Sequence, residues 1–152
     1  MTQPINEPLL SVRNLKTEFV LDEGTVKAVD DVSFDVHPGQ VVGIVGESGC
    51  GKSATIKSVL RIIEKPGQIT NGQILFHKPG EQPVDLVTLN QRSKRLRAIR
   101  GGDIALIPQE PMAAFSPVHT IGNQLIEAIR LHQPVSKPVS YTHLTLPTIL
   151  LV

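Results

Sequence analysis

VVGIVGESGCGKSATIKSVL, residues 41–60, sets three closely spaced glycines and a lysine between a β-branched run and a segment of helical spacing. Gly46, Gly51, Lys52 and Ser53 match the pattern G-x-x-x-x-G-K-[ST]. Val41, Val42, Ile44 and Val45 surround Gly43 as a short buried strand would. Beyond Ser53, the residues Ile56, Val59, Leu60 and Ile63 fall at i, i+3, i+4 and i+7. That stripe predicts an amphipathic helix over 52–63. Strand, glycine loop and helix follow one another in the order a phosphate-binding turn requires.

The physical reason lies at the helix start. Its first backbone N–H groups have no intrahelical partners and carry partial positive charge. Phosphate oxygens satisfy both conditions. Gly46, Gly49 and Gly51 let the backbone take angles closed to other residues and approach a ligand closely. Lys52 is expected to reach the β- and γ-phosphates of a bound nucleotide, and the Ser53 hydroxyl to coordinate Mg²⁺. The expected phosphate-binding set is Gly46, Glu47, Ser48, Gly49, Cys50, Gly51, Lys52, Ser53 and Ala54. An ordinary glycine-rich turn with a surface lysine is the rival reading, and the fit of both flanks argues against it.

The chain has 152 residues, enough for one domain with a core. Fifteen Lys and Arg face fourteen Asp and Glu, so no global field calls for nucleic acid or an anionic surface. Cys50 is the only cysteine, which excludes an internal disulfide and suits a reducing compartment. The start, MTQPINEP, lacks the basic and apolar regions of a secretory signal. No apolar stretch approaches the length of a bilayer span. A cytosolic protein able to dock on a membrane partner is the expectation. Low aromatic content, 3%, disfavours readers of single-stranded nucleic acid.

LLSVRNLKTEFV and VKAVDDVSFDV alternate partly and are rich in β-branched residues, with a turn signal in LDEGT between them. They predict an antiparallel hairpin. KPGQITNGQILFH predicts a turn and a further strand, KPGEQPVDLV a loop, and DIALI a second buried strand. NQRSKRLRAIR predicts a short helix with a basic face; a solvated face accounts for its charges better than a nucleic-acid site. In IGNQLIEAIRLH, Ile121, Leu125, Ala128 and Ile129 share one face, with Thr120 as N-cap. The five histidines are scattered without helical metal-site spacing.

Taken together, LLSVRNLKTEF, AVDDVSFDVHPGQVVGIVGESGCGKS, IRGGDIALIPQEPMAAFSPVHTIGNQLIEAI and the His that follows resemble the ATP-binding subunits of ABC transporters. The narrower likeness is to the peptide-importing branch, which handles oligopeptides, dipeptides and nickel, and it rests on IPQEPMAAFSP. The resemblance implies an α/β fold: a P-loop NTPase core with an N-terminal antiparallel β subdomain, stopping before the helical subdomain. It implies that Gln109 contacts Mg²⁺ or the attacking water and couples the site to a transmembrane partner. It makes Phe19 the candidate for stacking on adenine. It implies ATP and Mg²⁺ as cofactors. It implies permease subunits and a second ATP-binding subunit as partners, without direct cargo contact or nucleic acid. The expected location is peripheral, on the inner face of the cell membrane.

Hydrolysis in this family needs further groups: an apolar strand ending in Asp-Glu, a switch histidine and an LSGGQ loop. None occurs in this sequence. Asp103 precedes its apolar run instead of following it, and Glu110 matches a different position. No catalytic set is complete. Residues 6–132 are therefore expected to be the N-terminal part of the nucleotide-binding domain. PVSKPVSYTHLTLPTILLV does not resemble the family continuation, so residues 133–152 are expected to be a disordered tail or a chimeric reading frame. Two rival functions stay open: a soluble ATPase of the same class acting on nucleic acid or the ribosome, and a non-catalytic nucleotide-binding fragment.

Overall fold

The computed structural model describes residues 7–149. The alternating residues fold as the expected hairpin, β1 at Leu10–Leu21 and β2 at Gly24–Val36. Leu10 stands opposite Val36, and Leu21 opposite Gly24. β3, Gly67–Phe76, runs antiparallel on the other side of β1. A two-residue β4, Val84–Asp85, completes the order β2-β1-β3-β4. The chain divides into two compact units, the first ending at Leu96 and the second beginning at Arg97.

In the first unit the sheet is kinked at one level across three strands. Asn14, Asp31 and Gly72 have φ of 46°, 60° and 100°. The Asn14 N–H donates to Ser33 Oγ at 2.8 Å, and Asn14 Nδ2 donates to Asp31 Oδ1 at 2.9 Å. Side chains thus repair the ladder where backbone pairing lapses. A Cβ at position 72 would lie 2.6 Å from the Asn14 carbonyl oxygen, so glycine is required there.

Helix α1, Lys52–Val59, packs on β1 and β2. Val59 and Leu60 of the expected stripe are buried with Val12, Leu15 and Ile74. Ile56 is exposed. The helix stops short of residue 63 because Arg61 turns left-handed (φ 56°). The Arg61 guanidinium donates to the carbonyls of Leu86 and Val87, which fixes that turn. Thr17 Oγ1 and Ser58 Oγ, both fully buried, lie 2.8 Å apart and tie α1 to β1. Ser58 donates onward to the Ala54 carbonyl at 2.6 Å, so Thr17 is the donor between the two hydroxyls.

Two expected strands are corrected. Residues 41–45 form no ladder, and Val41 and Val45 are 95% and 92% exposed. In 103–107 only Ile104 makes a bridge, to Arg100, and Ile107 is 89% exposed. A strand needs a neighbour to complete its ladder, and among the described residues neither run has one beyond the single Ile104 bridge. β-branched composition alone does not supply a ladder.

α2, Lys94–Gly102, starts at Ser93, whose hydroxyl accepts the Leu96 N–H at 3.2 Å. Leu96 and Ile99 are buried, while Arg92, Lys94, Arg95 and Arg97 are exposed, as on a solvated face. Helical geometry breaks at Arg100 and Gly101. In the second unit a 3₁₀ turn, Pro111–Ala114, precedes α3 at Ile121–His132. Thr120 caps α3 as expected, accepting the Asn123 N–H. The buried residue of α3 is Ile126; Ile121 and Leu125 of the expected face are exposed. α4, Lys137–Ile149, packs on α3, so most of the segment expected to be a disordered tail is helical. Pro138 sits in its first turn, where a missing N–H breaks no helical hydrogen bond.

Ser58→Ala strands a buried Thr17 hydroxyl and is predicted to cost about 1–3 kcal/mol. Thr17→Val combined with Ser58→Ala should cost less than the sum of the two single changes. Urea unfolding of the four proteins decides it, and strict additivity would contradict the pairing.

Candidate nucleotide-binding site

The loop between β2 and α1 is built around its last glycine. Gly51 is the N-cap of α1, in the left-handed region (φ 92°, ψ 3°). A Cβ at this position would lie 2.0 Å from the Ala28 carbonyl oxygen. The start of the helix is therefore seated on the backbone of β2. Gly51 has no side chain to cap the first turn, and that turn holds no acid. The N–H donors and positive end of α1 are offered to an anion.

Upstream, the loop folds back on itself. A Cβ at Gly46 would fall 2.6 Å from Cys50 Sγ. The Cys50 N–H donates to the Glu47 carbonyl at 3.3 Å. Lys52 Nζ donates to the carbonyls of Gly46 and Glu47 at 2.8 and 2.6 Å, and lies 3.4 Å from Cys50 Sγ. The ammonium is held within the loop, where a polyphosphate oxygen can replace a carbonyl as its acceptor. Thr55 Oγ1 donates to the Gly51 carbonyl at 3.0 Å and braces the first turn. A cleft of about 410 Å³ runs beside the loop, lined by Val32, Phe34, Ile44, Cys50, Lys52 and Thr55 among others.

These residues fit a magnesium–nucleotide polyphosphate. The donor set is an ammonium, a hydroxyl and a helix start, and glycines stand where a Cβ would collide. ATP would be held by residues 46–54, with Lys52 on its phosphates and Ser53 toward Mg²⁺. Bound there, the metal would withdraw charge from the terminal phosphate. Among the described residues no three His, Cys, Asp or Glu side chains cluster to hold a metal. Mg²⁺ would rest on hydroxyl, amide, phosphate and water oxygens, which suit this hard cation.

The other expected site residues are placed differently. Phe19 is half-buried near the end of β1, opposite Val26 and Gly67. Its ring lies over Gly67, where a Cβ would come within 2.6 Å of Phe19 Cε1. Gln109 is exposed in an irregular stretch of the second unit, between Pro108 and Glu110. Gly46–Ala54 and Phe19 thus share the first unit, and Gln109 belongs to the second. Sequence reasoning missed Ala28, because any residue supplies a carbonyl and no side chain marks the seat of Gly51.

A left-handed glycine cap, a lysine folded into its own loop and an open helix start define a P-loop nucleotide-binding protein. The family pattern described as ABC transporter matches residues 29–142, and the chain belongs to that family. It is 45% identical over 137 residues to the peptidoglycan transport ATP-binding protein YejF of Agrobacterium fabrum, covering 90% of this chain and 24% of that one. It is 45% identical over 132 residues to the dipeptide transport ATP-binding protein DppD of Bacillus subtilis, covering 86% and 37%. The glutathione import ATP-binding protein GsiA of Escherichia coli is 38% identical over 130 residues, covering 85% and 20%. The chain thus spans well under half the length of these curated relatives.

Lys52→Ala removes a cation from the phosphates and is predicted to weaken ATP binding about 10- to 100-fold, the equivalent of one charge-assisted hydrogen bond. Gly51→Ala should abolish binding, since the clash with the β2 backbone forces the start of α1 off its seat. Isothermal titration of both variants tests this, and wild-type affinity in either would contradict the site.

Proposed function

We propose that this chain is the nucleotide-binding start of the ATP-binding subunit of an importer whose cargo is peptides. The observation that carries the reading is the Lys52 ammonium held among the loop carbonyls above the Gly51 seat. Relatives whose names specify transport of dipeptides and import of glutathione support the cargo class. In the whole subunit, residues 46–54 hold Mg-ATP, and Phe19 stacks on the adenine. Two subunits close on nucleotide and reopen after hydrolysis. Permease subunits, not this chain, touch the cargo. Among the described residues no helix is long and apolar enough to cross a membrane, so attachment at the inner face of the cell membrane would come through those permeases.

Gln109 has the chemistry for coupling. A neutral amide ligates Mg²⁺ or orients water through its oxygen, and it can shift without moving a charge. Its position on an exposed, irregular stretch leaves it free of secondary structure that would have to break. In the full-length subunit reconstituted with its permease, Gln109→Ala is predicted to leave ATP affinity within a few-fold and to depress transport-linked hydrolysis. A collapse of ATP affinity would make Gln109 a nucleotide ligand first.

The chain itself, without an Asp-Glu strand end, a switch histidine or an LSGGQ loop, is proposed to bind nucleotide without turnover. Phosphate release from it should not exceed that of a Lys52→Ala control. Robust Lys52-dependent release would show that a different catalytic set is present.

A further inference from the structure

α3 grips both ends of the segment that carries Gln109. Near its start, Gln124 Oε1 accepts the Ser116 N–H at 2.8 Å. Gln124 Nε2 donates to the carbonyls of Ser116 and His119 at 3.1 and 3.0 Å. One side chain thereby gives Ser116 the two-way pairing a neighbouring strand would give. Ser116 Oγ and His119 Nδ1, 3.0 Å apart, close the turn that leads into the Thr120 cap.

At the other end of α3, His132 lies on a pair of glycines. A Cβ at Gly101 would come within 2.6 Å of His132 Nε2, and one at Gly102 within 3.3 Å of Nδ1. Gly101 has φ 83°, and its N–H donates to the Ile104 carbonyl at 2.8 Å. This turn directs the chain into residues 105–110, which have no regular structure and are exposed. Gln124 and His132 stand about 12 Å apart along the helix axis, at 1.5 Å per residue.

We propose that Gln124 and His132 are positioning residues for Gln109: the two ends of α3 pin residues 101–104 and 116–119, and a shift of α3 moves both pins together. This rests on the coupling role proposed for Gln109. The amide of Gln124 is essential to it. A carboxylate of the same shape loses both donated bonds and sets a negative charge against two carbonyl oxygens. The His132 ring acts by filling the space that the missing side chains of Gly101 and Gly102 leave, so a phenyl ring of similar size should replace it.

The first test is hydrogen exchange on this chain with Gln124→Glu, His132→Ala and His132→Phe. Gln124→Glu and His132→Ala should speed exchange at least tenfold in peptides covering 100–120 and leave β1–β3 unchanged, while His132→Phe behaves as wild type. Unchanged protection overturns the clamp, and equal loosening of the sheet overturns it as a local device. The second test uses the full-length subunit with its permease. Gln124→Glu should lower cargo-stimulated hydrolysis about fivefold or more, keep the KM for ATP within about twofold, and add no further loss to Gln109→Ala. Full additive loss, with Gln109→Ala itself active in coupling, overturns the positioning role. A silent Gln109→Ala is a separate failure: it removes the coupling role and the positioning role with it.

Discussion

The Cα of Gly51 rests against the carbonyl of Ala28, and a single added carbon would come within 2.0 Å of that oxygen. The rest of the first unit is arranged around this approach. It fixes where α1 begins, and therefore where its unpaired N–H groups point. It forces Gly51 into the left-handed region, which turns the loop so that Gly46 and Cys50 meet and Lys52 folds over the carbonyls of Gly46 and Glu47. At the other end of the helix, the buried Thr17–Ser58 pair and the Arg61 turn hold α1 on the sheet. The phosphate loop is exposed, yet both its anchor points are backbone or buried side chain. Such an arrangement can present donors to a ligand without first having to order them.

The parts legible in the sequence are those with strong local signals. Alternation over 10–36 and the turn at Asp22 and Glu23 announced the hairpin, and Thr120 announced the start of α3. The glycine–lysine spacing announced the loop because each position there carries a steric or electrostatic demand that few residue types meet. What stayed hidden depends on distant partners. Val41–Val45 and Ile104–Ile107 have the composition of buried strands, but a strand is defined by its neighbours, and composition cannot report whether they are present. The face of α3 was misjudged by one residue, Ile126 instead of Leu125, because apolar residues at 125, 126 and 129 fit two overlapping stripes. Ala28 and Gln124 act through or upon backbone groups, which leave no pattern in a single sequence.

The two units use polar groups in different ways. In the first, an ammonium and a helix start concentrate positive charge where an anion belongs. The second works through backbone contacts: the Gln124 amide pairs with Ser116 backbone, and the His132 ring lies beside Gly101 and Gly102. An amide pairing of this kind carries no net charge, so it can exchange partners at small electrostatic cost.

Residues 46–54 are proposed to form a preformed polyphosphate site. Titration of the ¹⁵N-labelled chain with Mg-ATP, followed by amide chemical shifts, tests it most directly. Saturable shifts are expected on Gly46, Gly49, Gly51, Lys52, Ser53 and Ala54, with the amides of β3 and α4 unmoved. Saturable shifts that leave Gly51–Ala54 untouched, or the absence of any saturable shift in the loop at millimolar nucleotide, would contradict it.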